Sequence, residues 1–263
     1  MYKLISIDLF ADFGMLKKPD TNEPIYLTFN MLHKPALLGI LGAIVGEGGF
    51  KEKGVLPNYY LKLQDLKIGI QPLNHENGNY NKTIITYNNT TGMASKEQGG
   101  NLMITEQTLV APAYRCFFML DTEIEIHQKA DKYLSNYNAD FLPYLGKNEF
   151  SVWWENYIVH DGYEKFDPQT SFKINSIFIK DQPIKDTTDS ADLMNYDPVL
   201  LIDSEGNTYS YFERLPIGYT DLSKKTYQYE YNNFAYTDWS LTLKNKNSNL
   251  LLKTRQNGII QVF

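Results

Sequence analysis

The chain has 263 residues, 43% of them hydrophobic, which is enough for one large domain or two small ones with a buried core. Its net charge of −6 argues against a free-standing nucleic-acid binder, because such domains tend to be basic. The single cysteine, Cys116, excludes an internal disulfide, and its apolar neighbours favour a buried thiol. Asp8 and Asp12 interrupt the first apolar stretch, so we expect no secretory signal, no membrane span and a place in the reducing cytoplasm.

The N-terminal third predicts a strand, a loop and a helix. Tyr2 to Phe10 alternates polar and apolar residues, as a strand does, and Asp12 to Asn30 forms a loop. Pro35 stands at the favoured first position of a helix that runs to about Val45. Glycine is a poor helix former, so three of them in this helix predict close approach to a neighbouring backbone, most simply that of a sheet: Gly39, Gly42 and Gly46.

A long polar insert separates the next two strand-like runs. The runs are Lys67–Leu73 and Thr108–Leu120, and the insert covers residues 74–107. A hairpin needs only two to five loop residues, and much longer loops are usually functional or disordered. The insert has strand-like pieces of its own, at residues 82–87 and 101–105. We therefore expect an arm that projects from a hairpin and lies against a partner.

A second helix over Asp121 to Asn136 and a strand over Phe150 to Ile158 complete the order β-α-β-β-α-β. This order predicts an α+β, ferredoxin-like domain of the kind used for RNA recognition, whose sheet can expose one face to a ligand. We place this domain at residues 1–164, with the insert at about 74–107. Short strands separated by turn signals predict a smaller all-β domain at residues 165–263.

Several segments, taken in order, resemble the CRISPR-associated Cas-five family, and its type I-B branch in particular. The likeness covers about residues 1–160 well and the β-rich remainder loosely. The loop after the first strand departs from many relatives, because it carries Lys17 and Lys18 in place of arginines. The segments are Ile5 to Phe13, Pro19 to Thr21, His33 to Gly46, Asn88 to Gly92, Thr105 to Leu109, Tyr114 to Cys116 and Tyr144 to Asn148.

The resemblance implies a non-catalytic subunit of Cascade, the RNA-guided surveillance complex of antiviral defence, built on a RAMP-type ferredoxin-like core. Such a subunit caps a filament of Cas-seven subunits and binds the 5′ handle of the CRISPR RNA. The insert at residues 74–107 would be the family's thumb, which packs against the adjacent Cas-seven subunit. The large Cas-eight subunit docks nearby and helps to read the PAM, so target DNA is reached through the complex.

Candidate RNA-binding residues lie outside and within the arm. Lys17 and Lys18, in the loop after the first strand, are suited to phosphate binding as point charges, or are solvated lysines. His33 and Lys34 stand just before the glycine-rich helix, whose N-terminus favours anions. They could therefore flank a phosphate, or they are ordinary surface residues at the helix entry. In the arm, amide, hydroxyl and basic side chains suit the 2′-OH and exposed bases of RNA, unless the arm contacts protein only: Lys82, Tyr87, Asn88, Asn89, Thr90, Thr91 and Lys96.

Further candidates complete the predicted site. Met93 and Leu102 are apolar side chains that could wedge beside the guide. Gly146, Lys147 and Asn148 form a loop in which glycine permits close backbone approach and Lys147 can meet a phosphate, although an ordinary turn explains them equally. Arg115 is either a further RNA contact or a member of a structural ion pair.

Two other functions compete with a scaffold. The type I-C branch of the family processes CRISPR RNA, so Tyr26, His33 and Lys34 could serve a metal-independent endoribonuclease as orienting group, base and cation. A β-rich carbohydrate-binding module is permitted by the tyrosine and tryptophan content. No zinc-like Cys/His spacing, P-loop or paired nucleophile and base is found, so no catalytic residue, metal or cofactor is expected.

Overall fold

The chain folds as an α+β protein in which antiparallel sheets dominate. The computed structural model describes residues 1–21, 24–89, 102–167, 170–180, 199–202, 209–222, 226–243 and 250–263. Its helices in those residues are α1 (Lys34–Ile44), α2 (Asn58–Leu63) and α3 (Glu125–Ser135). Its strands there are β1 (Tyr2–Ala11), β2 (Phe13–Gly14), β3 (Lys67–Leu73), β4 (Lys82–Asn89), β5 (Leu102–Val110), β6 (Ala113–Asp121), β7 (Val152–Val159), β8 (Glu164–Lys165), β9 (Phe178–Ile179), β10 (Val199–Ile202), β11 (Ser210–Asp221), β12 (Tyr227–Thr237), β13 (Ser240–Leu243), β14 (Leu250–Thr254) and β15 (Gly258–Val262).

The central sheet has four strands in the order β3-β6-β1-β7, and each neighbouring pair is antiparallel. Helix α1 lies in the connection from β1 to β3, and α3 in the connection from β6 to β7. Because successive side chains of a strand point to opposite faces, Ile5, Ile7 and Leu9 of β1 share one face. They are buried in one cluster with apolar side chains of α1 and α3.

The predicted strand over Thr108–Leu120 is wrong in one respect, because it is two strands. Ala111 has a φ of +48°, in the left-handed region, and Pro112 follows it. A proline has no backbone N–H to give to a sheet, so the ladder is interrupted there. The chain turns at this point, so β5 belongs to the arm and β6 to the central sheet.

Helix α1 is capped at both ends by residues next to it in the sequence. At the start, the imidazole Nδ1 of His33 accepts a hydrogen bond from the N–H of Ala36 at 3.3 Å. At the end, Gly46 has a φ of +75°, the left-handed conformation that commonly ends helices. The prediction that the glycines approach a sheet is wrong, because a side chain on Gly42 would collide with the ring of Tyr59 in α2.

The face of the central sheet opposite the helices is partly covered by the C-terminal hairpin. Leu4 and Phe117 of the sheet pack against Leu252, Ile260 and Val262 of β14 and β15. The expectation that one face stays exposed to a ligand is therefore wrong for this part of the sheet. The residues before and after position 165 also share the main hydrophobic cluster. The boundary between residues 164 and 165 stays a prediction.

Two negative findings concern the described residues alone. None of the three helices in those ranges is long and apolar enough to span a bilayer. Likewise, no three His, Cys, Asp or Glu side chains of the described ranges lie close enough together to hold a metal ion.

Arg115 and Asp8 form a buried ion pair across β1 and β6. The guanidinium donates from Nε to Asp8 Oδ1 at 2.6 Å and from the second terminal nitrogen to Oδ2 at 2.8 Å, and Asn257 accepts a third bond at 2.7 Å. Removing one member of a buried pair leaves the other charge uncompensated. We expect Asp8→Ala to lower the free energy of unfolding by about 3 kcal/mol, measured by urea denaturation.

The exposed pair between Lys253 and Glu164, 3.7 Å apart, supplies the control for that experiment. Surface ion pairs contribute little, so Glu164→Ala should change the free energy of unfolding by no more than about 0.5 kcal/mol. Equal effects of the two substitutions would contradict a structural role for the Asp8–Arg115 pair.

Candidate nucleic-acid interface

The arm is a hairpin of two paired strands. Strands β4 and β5 pair from Lys82↔Leu109 to Asn89↔Leu102, and β2 adds to β5 at the base. Tyr26 pairs with the same edge of β5 as β2 does, because its N–H donates to Thr105 O at 2.9 Å and its carbonyl accepts from Gln107 N at 2.8 Å. The arm is therefore tied by main-chain hydrogen bonds to the loop after β1.

Exposed side chains line the arm. Tyr87 and Asn88 are exposed. Ile84 and Met103 are also more than half exposed, which adds apolar surface that the sequence did not single out. Asn89 ends β4 and Leu102 begins β5. The predicted contacts Thr90, Thr91, Met93 and Lys96 lie outside the described residues.

Lys17 and Lys18 lie in a loop that runs beside residues 27–29. Lys18 N donates to Leu27 O at 2.8 Å, which fixes the backbone of the loop. Lys17 is exposed, and its ammonium lies 3.7 Å from the centre of the Tyr26 ring. Lys18 is less exposed, and its ammonium lies 3.3 Å from Glu213 Oε1. Lys17 is thus the more accessible of the two charges.

Lys82 lies at the base of the arm, close to the loop that precedes α1. Its ammonium donates to Asn30 Oδ1 at 2.8 Å. Burial lowers the pKa of Lys82, while the negative charge of Glu213 acts to raise it and the positive charge of Lys18 to lower it. Lys18, Lys82 and Glu213 therefore form one electrostatic group at the base of the arm.

The loop before β7 also contacts the arm. Lys147 pairs with the buried carboxylate of Glu106 in β5, and its ammonium donates to Tyr87 OH at 3.0 Å. Burial lowers the pKa of Lys147, but the hydrogen bonds to Glu106 and Tyr87 outweigh it, so the pKa is raised. Gly146 has a φ of +85°, and a side chain there would collide with the carbonyl of Met15. Asn148 is exposed beside them.

His33 and Lys34 lie at the start of α1 in different surroundings. The His33 ring is only 4% exposed and lies edge-on to the rings of Phe29 and Tyr229. Burial lowers its pKa to about 3, so the imidazole is neutral near pH 7. Lys34 is partly buried, and burial lowers its pKa to about 8, with Asp65 acting in the opposite direction. His33 therefore caps α1 from a buried position, which neither alternative for it foresaw.

The structure brings some of the predicted residues together and leaves others apart. Lys18 and Lys82 meet at Glu213 and Asn30 at the base of the arm, and Lys147 meets Tyr87 further along it. Arg115 lies instead on the central sheet in its pair with Asp8. The two polar residues that join Lys18 to Lys82, Asn30 and Glu213, carry no signal in the sequence, because they are 183 positions apart and belong to no motif.

Comparison with known proteins gives distant structural similarities. No known protein family and no curated protein matches the sequence. A protein described as "CRISPR RNA-guided surveillance complex" is 9% identical, with a TM-score of 0.47 over 93% of this chain and 92% of that one. A CRISPR protein from Archaeoglobus fulgidus is 12% identical, with a TM-score of 0.46 over 99% of both chains. A "Cas protein" is 14% identical with a TM-score of 0.34, and this chain spans 57% of its length.

The buried His33 makes the stability of the chain depend on pH. Its pKa is about 3 when folded and about 6.5 when unfolded, so the unfolded state binds more protons between these values and stability falls as pH drops below 6.5. From pH 7 to pH 5 we expect this group to remove about 2 kcal/mol of folding free energy. Urea denaturation at both pH values should show that loss reduced in His33→Asn.

Asparagine retains a side-chain acceptor for the helix N-terminus but does not titrate. The other histidines titrate in both proteins, so the difference between the two proteins isolates His33. The same loss of stability in both proteins between pH 7 and 5 would contradict a buried, neutral His33.

Proposed function

We propose that this chain is a non-catalytic, RNA-binding subunit of a cytoplasmic CRISPR surveillance complex. More narrowly, we propose a Cas-five subunit of type I-B Cascade that holds the 5′ handle of the CRISPR RNA and caps the filament of Cas-seven subunits. The observation that carries this proposal is the hairpin arm, along which lie cationic side chains from three separate segments. The ordered motifs that resemble the family support it independently.

The architecture supports a ferredoxin-like core. A β-α-β-β-α-β chain whose strands lie in the order second, third, first and fourth, all antiparallel, is a pair of interlocked split β-α-β units. We infer that this is the RAMP-type core, with β4 and β5 as the thumb inserted between its second and third strands. Fold alone does not establish function, so the case for RNA binding depends on the residues at the base of the arm.

Those residues are suited to a nucleic-acid backbone. Lys17 presents an exposed ammonium, and Lys18 and Lys82 add charge beside it at partly buried positions. Lysine binds phosphate as a point charge, which positions a strand without reading its sequence. The chain as a whole is acidic, so such a local cluster determines where a polyanion can approach. We propose that the 5′ handle passes here, with Tyr87 and Asn88 beside it.

The geometry at His33 supports a scaffold rather than a nuclease. A general base works best when its pKa lies near the working pH. Burial lowers the pKa of His33 to about 3, and its Nδ1 is engaged by the helix N-terminus. The base that the nuclease alternative requires is therefore both inaccessible and weakly basic, so we propose that the chain cleaves no RNA.

A rigid loop between α3 and β7 supports a role in assembly. Phe141 and Leu142 are 56% and 68% exposed, and Tyr144 is 43% exposed. The loop is held in place because Asp140 N and Phe141 N donate to carbonyls of α1 at 3.0 and 3.1 Å. Rigid exposed apolar surface of this kind marks a protein contact. We propose that a Cas-seven or Cas-eight subunit docks on this loop, near target DNA at the PAM.

The cationic group can be tested by its salt dependence. Each phosphate contact adds about −0.7 to the slope of log K against log salt for a single strand. We expect the double substitution Lys17→Gln, Lys18→Gln to make this slope shallower by about 1.4 in the assembled complex binding repeat-derived RNA. Fluorescence anisotropy over a range of salt concentrations measures it. Lys17→Gln alone keeps the Lys18–Glu213 pair and should give about half the change.

Lys132→Gln with Lys253→Gln removes the same charge from α3 and β14 and is the matched control. The handle assignment fails if the test and control variants have the same slope and affinity.

The proposed docking loop can be tested by co-purification. We expect Phe141→Ser with Leu142→Ser to weaken capture of the neighbouring Cas-seven and Cas-eight subunits at least about tenfold, because central apolar contacts dominate interface energies. Leu61→Ser, at a half-exposed position of α2, should leave capture unchanged. Full capture by the double variant would place the subunit contact elsewhere.

A further inference from the structure

The outer face of β11 carries an exposed aromatic ring and an exposed guanidinium that no assignment above uses. Alternation along β11 turns Glu213 and Leu215 inward, where Leu215 is 1% exposed, and turns Phe212 and Arg214 outward. Phe212 is 50% exposed. Half of this ring therefore faces solvent on a regular strand, where a ligand can reach it.

Cations and rings are interleaved on this face. The guanidinium carbon of Arg214 lies 4.6 Å from the centre of the Tyr231 ring, and the ammonium of Lys180 lies 5.2 Å from the centre of the Phe212 ring. Arg214 pairs with Asn233 across the strands and Tyr231 with Pro216, so Phe212, Arg214 and Tyr231 share one face. We call this face, defined by Lys180, Phe212, Arg214 and Tyr231, the β11 surface.

Arg214 resembles Lys17 in its surroundings. Arg115, Lys18 and Lys147 each have a carboxylate in ion-pair range. Within the described part of the chain, Arg214 and Lys17 have no carboxylate in that range, and each lies over the face of a tyrosine ring. In a chain with a net charge of −6, an exposed guanidinium of this kind beside the exposed ring of Phe212 provides local attraction for an anion.

The β11 surface continues from the cationic group at the base of the arm. Lys18 reaches Glu213, whose side chain lies on the inner face of β11 between the outward-facing Phe212 and Arg214. The carboxylate of Asp20 in the same loop adds to burial in raising the pKa of the Tyr231 phenol, and Arg214 lowers that pKa. The loop that carries Lys17 and Lys18 therefore lies beside β11, which is an edge strand of its sheet, and an RNA strand bound at that loop reaches the β11 surface by passing around this edge.

We infer that the β11 surface is a second contact for single-stranded RNA. A base stacks on the exposed ring of Phe212, and Arg214, whose guanidinium covers the Tyr231 ring, contacts the adjoining phosphate or stacks on the next base with its outer face. Aromatic rings interleaved with cations are how proteins hold single strands without reading sequence. This inference rests on the proposed function, because it extends the same RNA from the arm onto the C-terminal half of the chain. No site residue was predicted in that half.

The test uses the full chain in its assembled complex and two single-stranded probes, a repeat-derived RNA and an oligouridine of the same length. Phe212→Ser with Arg214→Gln changes two exposed side chains, so the temperature of thermal unfolding should stay unchanged. We expect it to weaken binding of both probes at least fivefold, because stacking by one base commonly contributes that much or more. Phe212→Tyr with Arg214→Lys retains a ring and a charge, and should restore most of the affinity.

The matched control is another pair of a cation and a ring. Lys129 lies 4.9 Å from the Tyr133 ring on α3, but it also pairs with Asp140 at 2.8 Å. Lys129→Gln with Tyr133→Leu should leave RNA binding unchanged. If Lys17→Gln with Lys18→Gln weakens binding and the β11 variant does not, the inference is overturned and the proposed function stands.

Two other outcomes are equally decisive. If the β11 variant binds RNA normally but no longer captures a neighbouring subunit, the surface serves a protein and the inference is overturned. If the wild-type complex binds RNA no better than a complex that carries both the β11 and the Lys17–Lys18 substitutions, the RNA-binding function itself fails, and the β11 contact fails with it.

Discussion

The carboxylate of Glu213 is the interaction on which the geometry of the site depends. It accepts hydrogen bonds from the backbone N–H groups of Asn30 and Met31, at 3.1 and 3.0 Å, and holds Lys18 at 3.3 Å. Asn30 in turn donates to Gly78 O at 2.8 Å and accepts from Tyr80 N and Lys82 Nζ. One side chain from β11 thus fixes the loop before α1, the base of the arm and two lysines. Buried polar groups joined in this way hold one arrangement, because any alternative leaves a donor or acceptor unpaired.

The same carboxylate sets the electrostatics of the surface around it. Glu213 compensates Lys18 and Lys82, which would repel each other if left alone. A phosphate that approaches Lys18 therefore competes with Glu213 for its ammonium, whereas a phosphate at Lys17 or Arg214 has no such competitor among the contacts described here. The strongest attraction for a polyanion thus lies on either side of Glu213 rather than on top of it. This arrangement favours an extended strand over a single bound anion, because the accessible charges are spread along the loop and β11.

Local patterns in the sequence predict the central sheet well and the site less well. The run Lys67–Leu73 is β3 as predicted, and the helix predicted from Pro35 is observed as Lys34–Ile44, because apolar periodicity and a proline at the helix start are local signals. The helix predicted over Asp121–Asn136 begins later, at Glu125. Glu213 and Asn30 carried no signal, since their contact joins segments 183 positions apart. The outward alternation of Phe212 and Arg214 is readable only over the full length of β11, Ser210–Asp221, whereas the sequence predicted only short strands in this region.

The covering of the central sheet leaves its rim as the accessible part. In RNA-recognition domains, aromatic side chains on an open sheet face stack on bases. Here β14 and β15 pack on the face opposite the helices through Leu252, Ile260 and Val262, and Arg115 beside them is engaged by Asp8 and Asn257. Opening the face would expose a hydrophobic cluster and break the hydrogen bond from Arg115 to Asn257, both of which cost free energy. The RNA of the proposed function is therefore excluded from the middle of the sheet and has to follow its rim, where the arm, the Lys17–Lys18 loop and β11 meet.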